Sequence, residues 1–191
     1  MNTLRMKSEK ITNIQGVIVL IPTVYKDDRG SFFESFNHSK FIKNMPSYIY
    51  EPFIQDNQSI SKRGVIRGMH LQLHPHEQAK LVRVISGKIL DVIVDLRKDS
   101  DTYLQSFSIE LSGENKKMLL VPTGCLHGFL SLEDDTIVNY KVTDYWCKES
   151  ERGIIWDDPS LNIDWKLKEY NIETPIVSEK DKSLPRLKDY E

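Results

Sequence analysis

Short apolar runs alternate with turn-forming clusters between about residues 50 and 145. Several of these runs are rich in β-branched residues, and apolar and polar positions alternate along them with a period of two, as is typical of strands. Clusters of Gly, Pro, Ser, Asn and Asp separate the runs, and Ser86-Gly87 predicts a hairpin between the first two. Many short strands at regular spacing predict an all-β jelly-roll barrel rather than a βαβ sheet. The predicted strands are residues 80–85, 88–96, 107–111, 117–121, 128–132 and 136–142.

The segments on either side of these strands give weaker signals. The chain is long enough for one domain with a sizeable core, and a second domain would be cramped. We expect a single domain over residues 1–191, with strands within about 1–50, the barrel at about 50–145 and a flanking segment at about 146–191. The last segment has an irregular pattern except for one helical turn predicted near residues 178–182.

Period two also sorts the side chains onto the two faces of each strand. Lys80 shares its face with Val82 and Val84, and Tyr140 shares its face with the valines two positions before and after it. Both residues are therefore predicted to point into the barrel. A lysine in such a place is costly unless it has a partner or a ligand, which makes Lys80 a candidate functional residue.

Composition is that of an ordinary globular protein, since 39% of the 191 residues are hydrophobic and 28% are charged. The net charge of −2 argues against binding to nucleic acid through bulk charge. The apolar run at residues 17–21 is far too short for a signal-peptide core or a membrane span. Cys125 and Cys147 form neither a disulfide framework nor a ligand pair, so we expect a cytoplasmic protein.

The stretch from residue 68 to 87 follows the spacing of the first metal-binding motif of cupin barrels. It contains His70, His74 and His76, but Lys80 stands where that motif has a glutamate ligand. A cation at this position would repel a divalent metal, so we expect neither a metal nor another cofactor. A site made of His74, His76 and His127 is an open alternative, because three histidines with one free position can hold a metal ion.

Four residues could take part in a reaction that moves a proton, each in a different role. The imidazole of His70 titrates near neutral pH, as a general base requires, and Lys80 could stabilise an oxyanion. His127 occupies the single histidine position of the second cupin motif, although a core histidine bonded to the backbone would explain it equally well. Asp181 fits a helix-capping sequence, and its alternative role is a carboxylate that orients an imidazole.

Two arginines lie in segments that suit the mouth of a pocket. Arg29 begins a turn-plus-strand segment before the barrel strands, and Arg67 comes three residues before His70. A guanidinium group matches the geometry of a diphosphate. The structural alternative is a strand edge with a polar rim.

At these residues the chain resembles the dTDP-4-dehydrorhamnose 3,5-epimerase family, a group of nucleotide-sugar epimerases. The resemblance covers about residues 21–187, nearly the whole chain. Each matching segment is a weak signal alone, but the ordered series is specific. The segments are DRGSFFE at 28–34, RGVIRGMH at 63–70, QAKLV at 78–82, DVIVDLR at 91–97, LSGEN at 111–115, PTGCLHGFL at 122–130, YKVTDY at 140–145, ERGI at 151–154, WDDP at 156–159 and SEKD at 178–181.

The resemblance implies a metal-free, cupin-type jelly roll that works as a homodimer on a nucleotide-diphosphate-linked 4-keto-6-deoxy sugar, inverting C3, C5 or both. In that family pattern His70 is the base, Asp181 its dyad partner and Tyr140 the acid on the opposite face of the sugar, while Lys80 faces the substrate. The other positions that would contact substrate are Arg67 and His127 beside Lys80, Arg29 and Glu34 from the second subunit, and Gln55, Asn57, Glu151 and Lys180.

Elementary chemistry agrees with this assignment. Removal of a proton next to a ketone needs a base and a group that stabilises the enolate, and a histidine with an inward lysine supplies both. The chain departs from the family pattern at residues 74–77, which are more histidine-rich, and at Trp146, where a second tyrosine is frequent. Two other functions stay open: a metal-dependent cupin oxygenase or isomerase, and a carbohydrate-binding cupin module.

Overall fold

A computed structural model of the chain describes residues 7–9, 13–44 and 51–190. Within these ranges the chain is mostly β-structure with short helices. The strands are β1 Lys7–Glu9, β2 Ile18–Ile21, β3 Tyr25–Asp27, β4 Gly30–Phe32, β5 Gln55–Ser61, β6 Val65–Gln72, β7 Lys80–Ser86, β8 Lys88–Asp95, β9 Ser106–Ser112, β10 Met118–Val121, β11 Cys125–Ser131, β12 Thr136–Val142, β13 Glu151–Gly153 and β14 Ile176–Val177. The α-helices are α1 His38–Asn44 and α2 Glu179–Lys182, and 3₁₀ turns occur at Lys148–Ser150, Pro159–Leu161 and Leu187–Asp189.

Two large sheets make up the fold. Sheet one has the strand order β1-β2-β10-β7-β12-β5, and sheet two has the order β13-β6-β11-β8-β9, with β14 parallel to β6. Neighbouring strands are mostly far apart in sequence, as in a jelly roll. The predicted all-β jelly roll with a short helical turn near the C-terminus is therefore confirmed, in the form of two facing sheets.

Three apolar clusters hold the sheets together. The central cluster lies between the sheets and includes Val82 and Val138 from sheet one and Ile93 from sheet two. A second cluster covers the outer face of sheet two with the segment that contains Trp165. A third covers the outer face of sheet one with the helix residue Phe41. Burial of these surfaces provides most of the driving force for folding, and it fixes which side chains point between the sheets.

The predicted hairpin at Ser86-Gly87 is wrong. The strands on either side of it belong to different sheets, since β7 pairs with β10 and β12 whereas β8 pairs with β11 and β9. Gly87 has a φ of +80° and lies against Thr136, so it turns the chain from one sheet into the other. Strand β8 is buried along nearly its whole length, because apolar clusters cover both faces of sheet two.

The flanking segments contribute strands to both sheets, as β2 lies in sheet one and β13 and β14 lie in sheet two. The proposed boundaries near residues 50 and 145 stay predictions. Residues 1–6, 10–12 and 45–50 of the predicted N-terminal strand region lie outside the described residues. In the part of the chain that the structure describes, no helix is long and apolar enough to cross a membrane.

Candidate active site

A cavity of about 760 Å³ lies between the two sheets and opens at one end. Strands β5, β7 and β12 of sheet one and strands β6, β11 and β13 of sheet two line it, together with helix α2. Ten of the twelve residues that the sequence suggests for the site meet in this cavity. They are Gln55, Asn57, Arg67, His70, Lys80, His127, Tyr140, Glu151, Lys180 and Asp181.

His70 and Asp181 form a hydrogen-bonded pair on the wall made by sheet two. His70 Nε2 lies 2.8 Å from Asp181 Oδ1, and the backbone N–H of Gly68 donates to Asp181 Oδ2 at 3.3 Å. Burial is the largest single effect and raises the pKa of Asp181, but the contacts with His70, with the backbone N–H of Gly68 and with Ser178 together outweigh it, so the pKa is lowered. A carboxylate can only accept, so Nε2 carries the proton and Nδ1 of the neutral imidazole is left as the basic nitrogen.

Local sequence explains how Asp181 reaches this place. Ser178 caps helix α2, because its hydroxyl accepts a hydrogen bond from the backbone N–H of Asp181 at 3.1 Å. The cap fixes the first turn of the helix and holds the Asp181 side chain, which is only 8% exposed, against His70. The predicted capping sequence and the carboxylate–imidazole contact therefore coexist.

A close backbone approach shapes the same wall. Strands β6 and β11 pair with His127 opposite His70, and the register shifts between His127 and Phe129. A Cβ on Gly68 would lie 2.7 Å from the Cα of Gly128, and Gly68 has a φ of +118°. Only glycine meets both conditions, so the residue before the Met-His pair is fixed by the packing of the two strands.

Lys80 crosses the cavity from sheet one toward sheet two. Its side chain is almost buried, and Nζ donates to the backbone carbonyl of His70 at 3.4 Å. Burial lowers the pKa of Lys80 to about 8, while the negative charges of Asp91 and Glu151 act in the opposite direction. With a pKa of about 8 the amine is still mostly charged near neutral pH, so it places a cation beside His70.

Tyr140 lies on β12 of sheet one and therefore faces His70 on sheet two across the cavity. Its side chain is half-buried, and burial raises the pKa of the phenol above its usual value. The phenol thus stays protonated at neutral pH and can donate a proton. A proton acceptor and a proton donor are present on opposite walls.

A second buried pair lies beside the first. His127 Nε2 is 3.0 Å from both carboxyl oxygens of Asp91, which has 0% exposure. Sequence reasoning missed Asp91, although a single aspartate inside the apolar run of residues 89–94 was a usable signal. The pair fixes the orientation of the His127 ring in the cavity wall.

The rim of the cavity is polar. Lys180 and Glu151 form an ion pair of 2.7 Å, and the Gln55 amide donates to the Asn57 side chain at 2.9 Å. Arg67 is exposed and lines the same opening. Such groups can bind a charged, hydroxyl-rich molecule that enters from solvent.

The three histidines of the alternative metal site are not brought together. His74 is exposed, His76 pairs with Asp144 at 2.9 Å, and His127 pairs with Asp91. Among the residues that the structure describes, no group of three His, Cys, Asp or Glu side chains is placed to hold a metal ion.

Comparisons with known proteins identify the family. The sequence profile of the dTDP-4-dehydrorhamnose 3,5-epimerases matches residues 11–189. The chain is 47% identical over 178 residues to the dTDP-4-dehydrorhamnose 3,5-epimerase of Methanothermobacter thermautotrophicus, a match that covers 93% of each protein. This chain belongs to the dTDP-4-dehydrorhamnose 3,5-epimerase family.

Solved structures of the epimerase family have the same fold. A dTDP-6-deoxy-D-glucose-3,5-epimerase from Legionella pneumophila, in complex with dTDP-4-keto-L-rhamnose, superimposes with a TM-score of 0.90 at 38% identity, covering 98% of this chain and 95% of the other. The dTDP-4-dehydrorhamnose 3,5-epimerase of Bacillus anthracis, with TDP and PPi bound, gives a TM-score of 0.87 at 42% identity, covering 96% and 100%. The family resemblance inferred from the ordered sequence segments is confirmed.

Two residues assigned to substrate binding by the epimerase resemblance lie away from the cavity. Arg29 is at the tip of the β3–β4 hairpin, where its side chain is 90% exposed and pairs with Asp27 at 2.6 Å. Glu34 forms an ion pair of 2.9 Å with Lys40. Their predicted role concerns the cavity of a second subunit, so it stays a prediction.

Proposed function

We propose that this chain is a 3,5-epimerase that converts dTDP-4-dehydro-6-deoxyglucose to dTDP-4-dehydrorhamnose through an enolate. The observation that supports this most strongly is the arrangement of His70 and Tyr140 on opposite walls of one cavity with the Lys80 amine between the sheets. Inversion at a carbon requires proton loss from one face of the sugar and proton delivery to the other. A cavity with one acidic and one basic wall meets this requirement.

His70 removes the proton from the carbon next to the ketone. Asp181 holds Nε2 and stabilises the imidazolium that forms when Nδ1 takes up the proton. The electron pair of the broken C–H bond moves toward C4, and the ketone oxygen becomes the enolate oxygen.

Lys80 offsets the negative charge that develops on that oxygen. A charged donor in a cavity with little water stabilises an oxyanion far more than it would in bulk solvent. Arg67 and His127 line the cavity beside it and contribute further donors. The chemistry needs no cofactor, since base, acid and enolate stabiliser all come from the chain.

Tyr140 then delivers a proton to the opposite face of the carbon and recovers one from solvent, while the His70 imidazolium releases its proton to solvent. The raised pKa of its phenol keeps the proton in place until the enolate forms. Over the whole cycle neither the enzyme nor the sugar gains or loses a proton, as an isomerisation requires.

The nucleoside diphosphate end of the substrate supplies binding energy away from the reacting carbon. Gln55, Asn57, Glu151 and Lys180 are the rim groups proposed to contact it. The thymidine diphosphate is assigned because the Legionella and Bacillus relatives hold dTDP-4-keto-L-rhamnose and TDP. We further propose a cytoplasmic homodimer in which Arg29 and Glu34 of one protomer approach the nucleotide held by the other.

Turnover of a panel of substrates tests the function. Purified protein is incubated in D₂O with dTDP-, CDP- and GDP-linked 4-keto-6-deoxy sugars, and NMR records configuration and deuterium content at C3 and C5. We expect inversion at both carbons of the dTDP sugar. Binding without turnover would favour a carbohydrate-binding module, and turnover restricted to one carbon or to another nucleotide would redefine the substrate.

A further inference from the structure

The segment at residues 143–147 lies outside the strands, yet hydrogen bonds to other parts of the chain anchor it along its length. It connects β12 to the 3₁₀ turn at Lys148–Ser150 and forms part of the cavity mouth. The anchoring bonds are Ala79 N to Thr143 Oγ1 at 3.0 Å, Gln78 Nε2 to Asp144 O at 2.7 Å, Gln72 Nε2 to Tyr145 O at 3.3 Å, Trp146 N to Gln55 Oε1 at 3.2 Å and Cys147 N to Gln72 Oε1 at 2.8 Å.

One carboxylate in this segment has two partners. Asp144 Oδ2 lies 2.9 Å from His76 Nδ1, and Asp144 Oδ1 accepts the backbone N–H of Tyr145 at 2.7 Å. His76 is itself held, because its carbonyl accepts from Gln72 at 3.0 Å. The pair therefore ties the turn that precedes Trp146 to the loop between β6 and β7.

Trp146 is the large side chain that this turn presents to the cavity. It lines the opening and is 54% exposed. Lys80, with 8% exposure, lies much deeper. A substrate whose sugar reaches Lys80 has its remaining part at the mouth, so the indole faces the nucleotide end rather than the reacting carbon. An aromatic face there can stack on a planar group such as a nucleotide base.

We propose that His76 and Asp144 are positioning residues that hold Trp146 as an aromatic wall for the nucleotide end of the substrate. This inference rests on the proposed function for the identity of the ligand. The His76 side chain is 41% exposed and the Asp144 side chain 27%, so the direct stability gain from the pair is small. Its effect lies in geometry, because a shift of about 1 Å in a positioning group can strongly weaken a bound complex.

Three predicted properties separate this role from a general structural one. His76→Ala should raise KM and the Kd for dTDP about three- to tenfold while kcat stays within about twofold, since the lost interaction is remote from the chemistry. His76→Asn should restore most of the binding, because its amide nitrogen can donate from nearly the position of Nδ1. In a Trp146→Ala background, His76→Ala should add little, because the two residues act as one unit.

The experiment measures the Kd for dTDP by calorimetry and KM and kcat by NMR for these variants and for His74→Ala. His74 is the matched control, an exposed histidine two positions away, and its replacement should leave all three constants unchanged. The inference is overturned if His76→Ala behaves like His74→Ala, if it lowers kcat as much as it raises KM, or if its effect is undiminished in the Trp146→Ala background. Calorimetry measures binding without turnover. A wild-type protein that binds dTDP but has no epimerase activity would therefore contradict the proposed function, while the Kd values of the variants would still test the role of His76 and Asp144.

Discussion

Lys80 is the buried cation on which the proposed chemistry depends, and replacing it by methionine should separate stability from activity. Burial lowers the pKa of its amine from 10.5 to about 8, against the opposing charge of Asp91. A tenfold change in proton affinity is worth about 1.4 kcal/mol. The folded protein therefore holds the charged amine at a cost of about 3 kcal/mol relative to water.

Lys80→Met removes this cost with a side chain of similar length. At pH 7 we expect the free energy of unfolding to rise by about 1–3 kcal/mol, as when other buried charges are replaced by apolar groups. The lower value allows for the lost hydrogen bond to the carbonyl of His70 at 3.4 Å. Between about pH 8 and 10.5 the unfolded wild type binds more protons than the folded one, so wild-type stability rises with pH and the difference between the two proteins narrows.

The assay combines urea unfolding at pH 7 and pH 10, at equal protein concentration, with the rate of epimerisation. We expect kcat to fall by about 10²–10³ because the enolate loses its charged donor. Lys88→Met is the control, a half-exposed lysine at the start of β8, and should change stability by no more than about 0.5 kcal/mol. A Lys80→Met protein that is destabilised at pH 7, or that keeps most of its activity, would refute the reasoning.

Three further perturbations test separate parts of the site. Tyr140→Phe should keep deuterium exchange next to the ketone yet block net inversion, because removal and delivery use different groups; equal loss of both in D₂O NMR would give Tyr140 another role. Asp91→Asn removes a charge that raises the pKa of Lys80, so the alkaline fall in kcat should move to lower pH than in wild type, and an unchanged pH profile would be inconsistent with this coupling. Gly68→Ala places a Cβ 2.7 Å from the Cα of Gly128 and should lower stability by at least about 2 kcal/mol, whereas an unchanged Tm would show that the strands can separate.

Period-two patterning was sufficient to place Lys80 and Tyr140 inside the fold. Each residue shares a strand face with valines that are buried in the structure, and a face that is mostly apolar points inward whichever strands become its neighbours. The same local logic predicted the capped turn that begins at Ser178. These features depend on a few adjacent residues, so local sequence patterns are sufficient to predict them.

Features that depend on strand order could not be predicted from local sequence patterns. The hairpin predicted at Gly87 failed because β7 and β8 find their partners in different sheets. The contact between His70 and Asp181 joins residues 111 positions apart, and only the family resemblance suggested it. Asp91 was missed because an isolated aspartate in an apolar strand indicates only that some partner exists. The sequence does not identify that partner as His127.

Deuterium exchange in a His70→Ala protein tests the central claim most directly. Wild-type protein in D₂O should incorporate deuterium at C3 and C5 of dTDP-4-dehydro-6-deoxyglucose, and His74→Ala should do the same. His70→Ala, with Lys80 and Tyr140 intact, should show no incorporation above the rate in buffer. Incorporation at the wild-type rate in His70→Ala would mean that another group removes the carbon-bound proton, and the assignment of the base would be wrong.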